Sequence, residues 1–183
     1  GFFLGLTIKE ISATLKNNDP VTITLTTLHP DGYALSADGK QAVLGALAGE
    51  VVVAEPWVRK HKRHYFKTRS VVAASADRGE PPCAAASHCG GCSFQHFEPG
   101  AQILFKQQQL VNALAQFQPE MLLPPLMGPL LGYRSKARLG VKYVDKKARV
   151  LVGFREKLKP YVAEIATCKV LKPSVGEQLP ALS

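Results

Sequence analysis

The sequence has 183 residues and a formal net charge of +9, with 23 Lys and Arg against 14 Asp and Glu. That length accommodates one domain or two small ones and buries a core without help from disulfides. Hydrophobic residues at 46% and charged residues at 20% exclude a wholly disordered chain, and no apolar run reaches the roughly 18 residues of a membrane helix.

Residues 1–20 read as a tail or a weak leading element. The apolar opening Gly1–Leu6 has no basic segment before it, so it lacks the pattern of a signal peptide. From Val21 the pattern turns to β. Val21–Leu28 alternates apolar residues with Thr, as a half-buried strand does. Asp31-Gly32 and Asp38-Gly39 are turn dipeptides that bracket a short strand at Tyr33–Ser36. Gln41–Leu44 and Glu50–Ala54 read as two more strands, and Tyr65–Ala74 as a last one. Five short strands joined by tight turns predict a small barrel of the OB or SH3 sort over residues 21–76.

Gly79, Pro81 and Pro82 mark a boundary near Asp77. A Cys- and Gly-rich loop follows as far as Cys92. Ile103, Leu104, Leu110, Val111, Leu114 and Phe117 recur at helical spacing, predicting a helix over 101–117 with one apolar stripe. Leu123–Pro129 is Pro-rich and breaks the structure. Arg134–Val144 alternates again. Strand geometry would put Ala137, Leu139, Val141 and Tyr143 on one face and Arg134, Lys136, Arg138 and Lys142 on the other. Arg149–Arg155 is the expected return strand of that hairpin.

The positive charge is concentrated. Arg59–Arg69 holds six Lys and Arg with no acid, and Arg134–Lys159 holds ten against two acids; together these are 16 of the 23. Such clusters suit a polyanion: Lys and Arg neutralise phosphates, and Tyr or Phe offers a face to unstacked bases. The plainer reading is a solvated loop and a sheet face whose charges discourage edge pairing.

Three of the four cysteines sit together, as Cys83-x5-Cys89-Gly90-Gly91-Cys92, and Cys168 follows 76 positions later. Nothing suggests secretion, which argues against disulfides. Three thiols in a Gly-rich loop plus one remote thiol suit a metal. Structural zinc usually takes two separated Cys-x2-Cys pairs and could recruit His88 or His96. A four-iron cluster tolerates three local ligands and one distant one, and the spacing favours it. Free thiols remain the simplest alternative.

Cys83-x5-Cys89-Gly90-Gly91-Cys92-Ser93-Phe94-Gln95-His96, with Gln102 and Lys106 beyond it, resembles the signature of bacterial RNA 5-methyluridine methyltransferases. The large-subunit (23S) rRNA uracil-C5 enzymes are the most similar class. The region around Asp31-Gly32-Tyr33 and Gly49-Glu50 resembles a TRAM domain, an OB-like RNA-binding module. Gly132-Tyr133-Arg134-x-Lys136 resembles the opening of that family's central domain, and Val152–Arg155 with Ile165-x-x-Cys168 resembles the stretch carrying a fourth cluster ligand.

The resemblance implies a mostly β chain with an α+β part. A five-stranded TRAM barrel (21–76) would precede a cluster loop, a helix and a hairpin-containing partial central domain (77–183). It implies a [4Fe–4S] cluster on Cys83, Cys89, Cys92 and Cys168, with zinc the alternative. It also implies RNA, above all 23S rRNA, as the partner of a cytoplasmic monomer. The residues expected at that RNA are Arg59, Lys60, Lys62, Arg63, Tyr65, Phe66, Lys67, Arg134, Lys136, Arg138 and Lys142.

The family reaction needs a nucleophilic Cys at uracil C6, a carboxylate base, a flipped-out target base and S-adenosylmethionine. No Cys remains for that role here, and no G-x-G loop or βαβ alternation is present. The expectation is therefore an N-terminal piece with no catalytic residue of its own, S-adenosylmethionine belonging to a missing domain. A stand-alone RNA-binding module with a structural metal is the second reading. A radical-S-adenosylmethionine methylthiotransferase is the third, disfavoured because it needs Cys-x3-Cys-x2-Cys and an open iron site.

Overall fold

Val21, Ile23 and Leu25 alternate with Thr22, Thr24 and Thr26, but the strand they begin is bent. It divides into β1 (Val21–Thr24) and β2 (Thr27–His29). β1 pairs antiparallel with β5 (Val51–Lys60), and β2 with β3 (Tyr33–Leu35). At the bend, Leu25 N donates to Glu50 O at 2.9 Å, and Thr26 N donates to Leu35 O at 2.8 Å. With β4 (Gln41–Leu44) and β6 (Arg63–Ala73) the sheet has the order β1-β5-β6-β4-β3-β2. Its two outer strands are successive halves of one bent strand, so the sheet curls towards a barrel.

This computed structural model describes residues 19–60 and 63–183. The expected tail therefore lies outside the described residues except for Asp19 and Pro20, as do His61 and Lys62. The chain divides into two units, one ending at Ala76 and the other spanning Asp77–Ser183. Among the described residues, no helix is long and apolar enough to cross a membrane.

The described residues of the first unit form six strands rather than the expected five, because the Val21–Leu28 segment breaks in two. β5 also runs past the expected Ala54 to Lys60, since β6 pairs with it along its length. Pro56 is tolerated because a register shift lies beside it, and a bulge spares the ladder bond that proline cannot make. The described residues of the first basic run therefore lie on the paired ends of β5 and β6. The core holds Ile23, Leu25, Ala34, Val43, Val52 and Phe66. Phe66 is only 1% exposed, so its ring is a core element and offers no face to RNA.

Glu50 is fully buried in this unit. Gly49, at φ +82°, turns the chain so that the Glu50 carboxylate meets two backbone donors. Leu47 N donates to Oε2 at 2.9 Å, and Ser75 N donates to Oε1 at 3.2 Å. The side chain thereby ties the β4–β5 turn to the end of β6.

In the second unit, α1 (Pro99–Leu114) begins with Pro99 and a Glu98 carboxylate that accepts from Gly100 N at 2.9 Å. A 3₁₀ turn follows at Ala115–Phe117. None of the described residues of α1 is buried, and Leu104 and Leu110 are 67% and 53% exposed. Of the expected stripe, Leu104, Leu110 and Phe117 are exposed, whereas Ile103, Val111 and Leu114 are half-buried. The hairpin is shorter than expected: β7 (Gly140–Val144) pairs with β8 (Arg149–Gly153). Arg134 forms an isolated parallel bridge with Leu171 instead, which leaves Arg134–Leu139 outside the strand. The expected face of four aligned cations is therefore absent; of those four, only Lys142 lies on β7.

Replacing Glu50 by Leu should leave the Leu47 and Ser75 amides without a carboxylate. The expected loss is about 2–4 kcal/mol, read from urea unfolding.

Candidate metal centre and nucleic-acid interface

Cys83–Cys92 is wound by short-range backbone bonds. Ala86 N donates to Cys83 O at 3.0 Å, and Cys89 N donates to Ala85 O at 2.8 Å. The segment after β8 holds this coil in place. Gly90 N donates to Arg155 O and Lys157 N donates to His88 O, both at 2.8 Å, and Cys89 bridges Glu156. The Lys157 ammonium donates to Ala86 O at 2.7 Å. From the far side, Cys168 N donates to Gly176 O at 3.0 Å.

These contacts leave Cys83, Cys89, Cys92 and Cys168 lining one pocket, together with Gly91, Gln95, Phe154 and Ile165. The loop triad and the remote cysteine share a site despite the 76 positions between Cys92 and Cys168. Neither His88 nor His96 lines it. Burial pushes the Cys89 thiol up, against the Gly91 amide, which donates to its Sγ at 3.4 Å. Burial likewise raises Cys92, against a hydrogen bond from the Gln95 side chain. The nearby Cys168 and Cys83 thiols raise it further, and Lys157 opposes them. Among the described residues, Gln95 Oε1 is buried without a hydrogen-bond partner. No ready-made group of three or more His, Cys, Asp or Glu side chains for a single metal ion is found among the described residues.

The residues near the pocket are tightly fitted. A Cβ at Gly90 would stand 2.7 Å from Arg155 O, and one at Gly91 would stand 2.9 Å from the Phe154 ring. Arg134 covers that ring, with its guanidinium carbon 5.1 Å from the centroid. It acts as part of the packing around the pocket. Gln102 has a similar role, its Nε2 donating to Phe94 O at 3.0 Å and Phe97 O at 2.7 Å. That bond pair fastens the Cys loop to α1.

The other expected RNA residues have differing surroundings within each unit. Arg59, Lys60, Lys136, Arg138 and Lys142 are exposed. Lys67 lies over the Trp57 ring at 5.5 Å. Arg63 donates to the Tyr33 hydroxyl at 2.8 Å and to Gly39 O at 3.2 Å. Tyr65 meets Tyr33 edge-on. Two further cations of the second basic stretch, Lys147 and Arg149, pair with Glu164. His29, Tyr33 and Trp57 were not among the expected contacts. The hairpin turn Asp31-Gly32 was the available signal for His29 and Tyr33, because a tight turn makes its flanking residues cross-strand neighbours.

No family profile matches the chain. Curated relatives do. The chain is 44% identical over 168 residues to the 23S rRNA (uracil(1939)-C(5))-methyltransferase RlmD of Alcanivorax borkumensis, a match covering 89% of this chain and 38% of that protein. The corresponding protein of Thiobacillus denitrificans is 42% identical, covering 86% and 38%. That of Acidithiobacillus ferrooxidans is 40% identical, covering 92% and 39%.

The chain is homologous to the 23S rRNA uracil-C5 methyltransferases.

It spans under two-fifths of the length of these relatives. Among solved structures, the Pyrococcus abyssi tRNA (uracil-54, C5)-methyltransferase in complex with S-adenosyl-L-homocysteine shares the fold. Its TM-score is 0.60 at 24% identity, covering 88% of this chain and 35% of that one. With 86–92% of the chain matched, the homology reaches into both units.

A Cβ at Gly176 would stand 2.3 Å from Cys168 O. Gly176→Ala should therefore displace Cys168 and cost about 1–3 kcal/mol, seen as a lower thermal midpoint.

Proposed function

We propose that this chain is the RNA-gripping and cluster-holding part of an S-adenosylmethionine-dependent RNA uridine-C5 methyltransferase that acts on 23S rRNA in the cytoplasm. The observation carrying this reading is 40–44% identity to 23S rRNA uracil-C5 methyltransferases across 86–92% of the chain. In it, residues 21–76 are a TRAM-type barrel, and 77–183 are the cluster loop with part of a central domain.

Cys83, Cys89, Cys92 and Cys168 would hold a [4Fe–4S] cluster. The common pocket, the Gly91 amide directed at Cys89 Sγ and the neighbouring Lys157 ammonium support it, since thiolate ligands are stabilised by nearby donors and positive charge. Such a cluster supplies a covalent cross-link between the loop and the Cys168 segment. Zinc is the less well-supported occupant, because neither candidate histidine borders the pocket.

All four cysteines line that pocket, so as cluster ligands they would leave no thiol for attack on uracil. Its exposed cations, among them Arg59, Lys60, Lys136, Arg138 and Lys142, would neutralise RNA phosphates. The exposed apolar surface supports a further domain in the whole protein. Met121, Leu123, Leu126, Met127 and Leu130 are all at least 60% exposed, and α1 adds the exposed Leu104 and Leu110 close by in sequence. Apolar surface this extensive normally meets a partner, and the relatives have more than half of their length beyond the matched part.

Iron and acid-labile sulfide measured on anaerobically prepared protein should come out in equal amounts, near four of each per chain. Cys168→Ser should lower both and weaken stability. Zinc alone, or no metal, would overturn the cluster.

The triple variant Lys136→Ala, Arg138→Ala, Lys142→Ala should bind RNA more weakly, with the slope of log affinity against log salt reduced by about 2. The chain alone should transfer no methyl group from labelled S-adenosylmethionine to a uridine-containing RNA. Methylation by this chain alone would refute its non-catalytic role.

A further inference from the structure

The sheet of the first unit has a second apolar face. The pleat sends Ala34, Val43 and Phe66 into the core and their neighbours to the opposite side. There Tyr33, Ala42 and Leu44 form a separate cluster, with Leu35, Trp57 and Tyr65 packed against it. An outward sheet face is ordinarily polar. This one interleaves aromatic rings with cations.

His29 pairs with Tyr33 across the β2–β3 turn, and their rings stack with centroids 4.3 Å apart and planes 9° apart. The ring orientation is fixed by the turn, because Asp31 N donates to His29 Nδ1 at 3.2 Å. Tyr65 meets Tyr33 edge-on at 5.5 Å. Trp57 falls at the register shift between the Pro56–Phe66 and Val58–Tyr65 pairs. A bulge of this kind re-aims a side chain. Arg63 and Lys67, two positions to either side of Tyr65 on β6, place their charges 5.6 Å from the Tyr33 ring and 5.5 Å from the Trp57 ring.

We propose that this face is a stacking platform on which unpaired bases of single-stranded RNA lie, with His29 and Trp57 as the two stacking residues. The proposal rests on the RNA-binding role given above and adds how the barrel would hold its ligand: by base faces as well as by charge. The His29 side chain remains 34% exposed, and the ring face turned away from Tyr33 is where a base continues the stack. Arg63 lies over the Tyr33 ring and Lys67 over one face of the Trp57 ring, which puts their charges where a backbone phosphate would pass and leaves the opposite Trp57 face for a base. Aromatic stacking accepts any base, so the platform would position a strand without reading its sequence.

Trp57 is the only tryptophan in the chain, which makes its emission a direct reporter of this face. The experiment titrates the full chain with a ten-nucleotide oligouridylate. Binding is read by anisotropy of a label on the RNA and, separately, by Trp57 fluorescence. Binding should quench or shift the emission. His29→Ala and Trp57→Leu should each weaken binding roughly five- to a hundredfold. An abasic strand of equal length should bind the wild type and His29→Ala equally, since it offers phosphates without bases. If Trp57→Leu fails to fold, the wild-type emission and His29→Ala decide the matter. Tight RNA binding with unchanged Trp57 emission and an undiminished His29→Ala would overturn the platform and leave the proposed function standing. No RNA binding in any arm would overturn both.

Discussion

Phe154–Lys157 is the strip to which the chemistry of the second unit is tied. One edge carries the cysteine loop, through Gly90 N to Arg155 O and Lys157 N to His88 O. The other carries the segment leading to Cys168, through Ala163 N to Phe154 O and Glu156 N to Tyr161 O, all at 2.8 Å. Backbone hydrogen bonds on both edges convert a distance of many residues into a shared pocket. The strip tolerates little beside it: Gly90 and Gly91 are the residues that fit against Arg155 O and the Phe154 ring. Phe154 itself is 7% exposed and packs with Ala85, Cys89, Ala163 and Leu171, so the small core of this unit surrounds the thiols.

That arrangement makes the thiols structural before any metal is considered. Burial raises Cys89 and Cys92, and the thiols around Cys92 raise it further. A metal bound by the thiolates would have to offset that penalty, so the energy of coordination and the energy of folding would become one quantity. The first unit is held together differently. Its sheet curls on a bent strand, closes over a core of aliphatic residues and Phe66, and anchors its β4–β5 turn with the buried Glu50 carboxylate.

The sequence was most legible where local rules operate. Gln41–Leu44 is a strand with the expected bounds, and Asp31-Gly32 and Asp38-Gly39 are turns, with Gly32 and Gly39 at φ +90° and +67°. The helix appears within a few residues of its expected span. It was least legible where one element answers to a distant one. The alternation through Arg134–Leu139 satisfies a strand pattern, but Arg134 is claimed by Leu171 and the Phe154 ring. Phe66 lies within a basic and aromatic run, yet the pleat turns it inward while Tyr65 faces the other cluster.

The positive charge, the local turns, the four-cysteine pattern and the kinship depend on residue identity and short spacing, and were legible from the chain alone. Which aromatic rings join a cation-bearing face, and that Cys168 borders the same pocket as the loop, came only with the folded chain. So did the exposure of Leu104 and Leu110 on α1. These follow from strand register and from backbone pairing between remote segments, and neither is encoded in any single stretch of the chain.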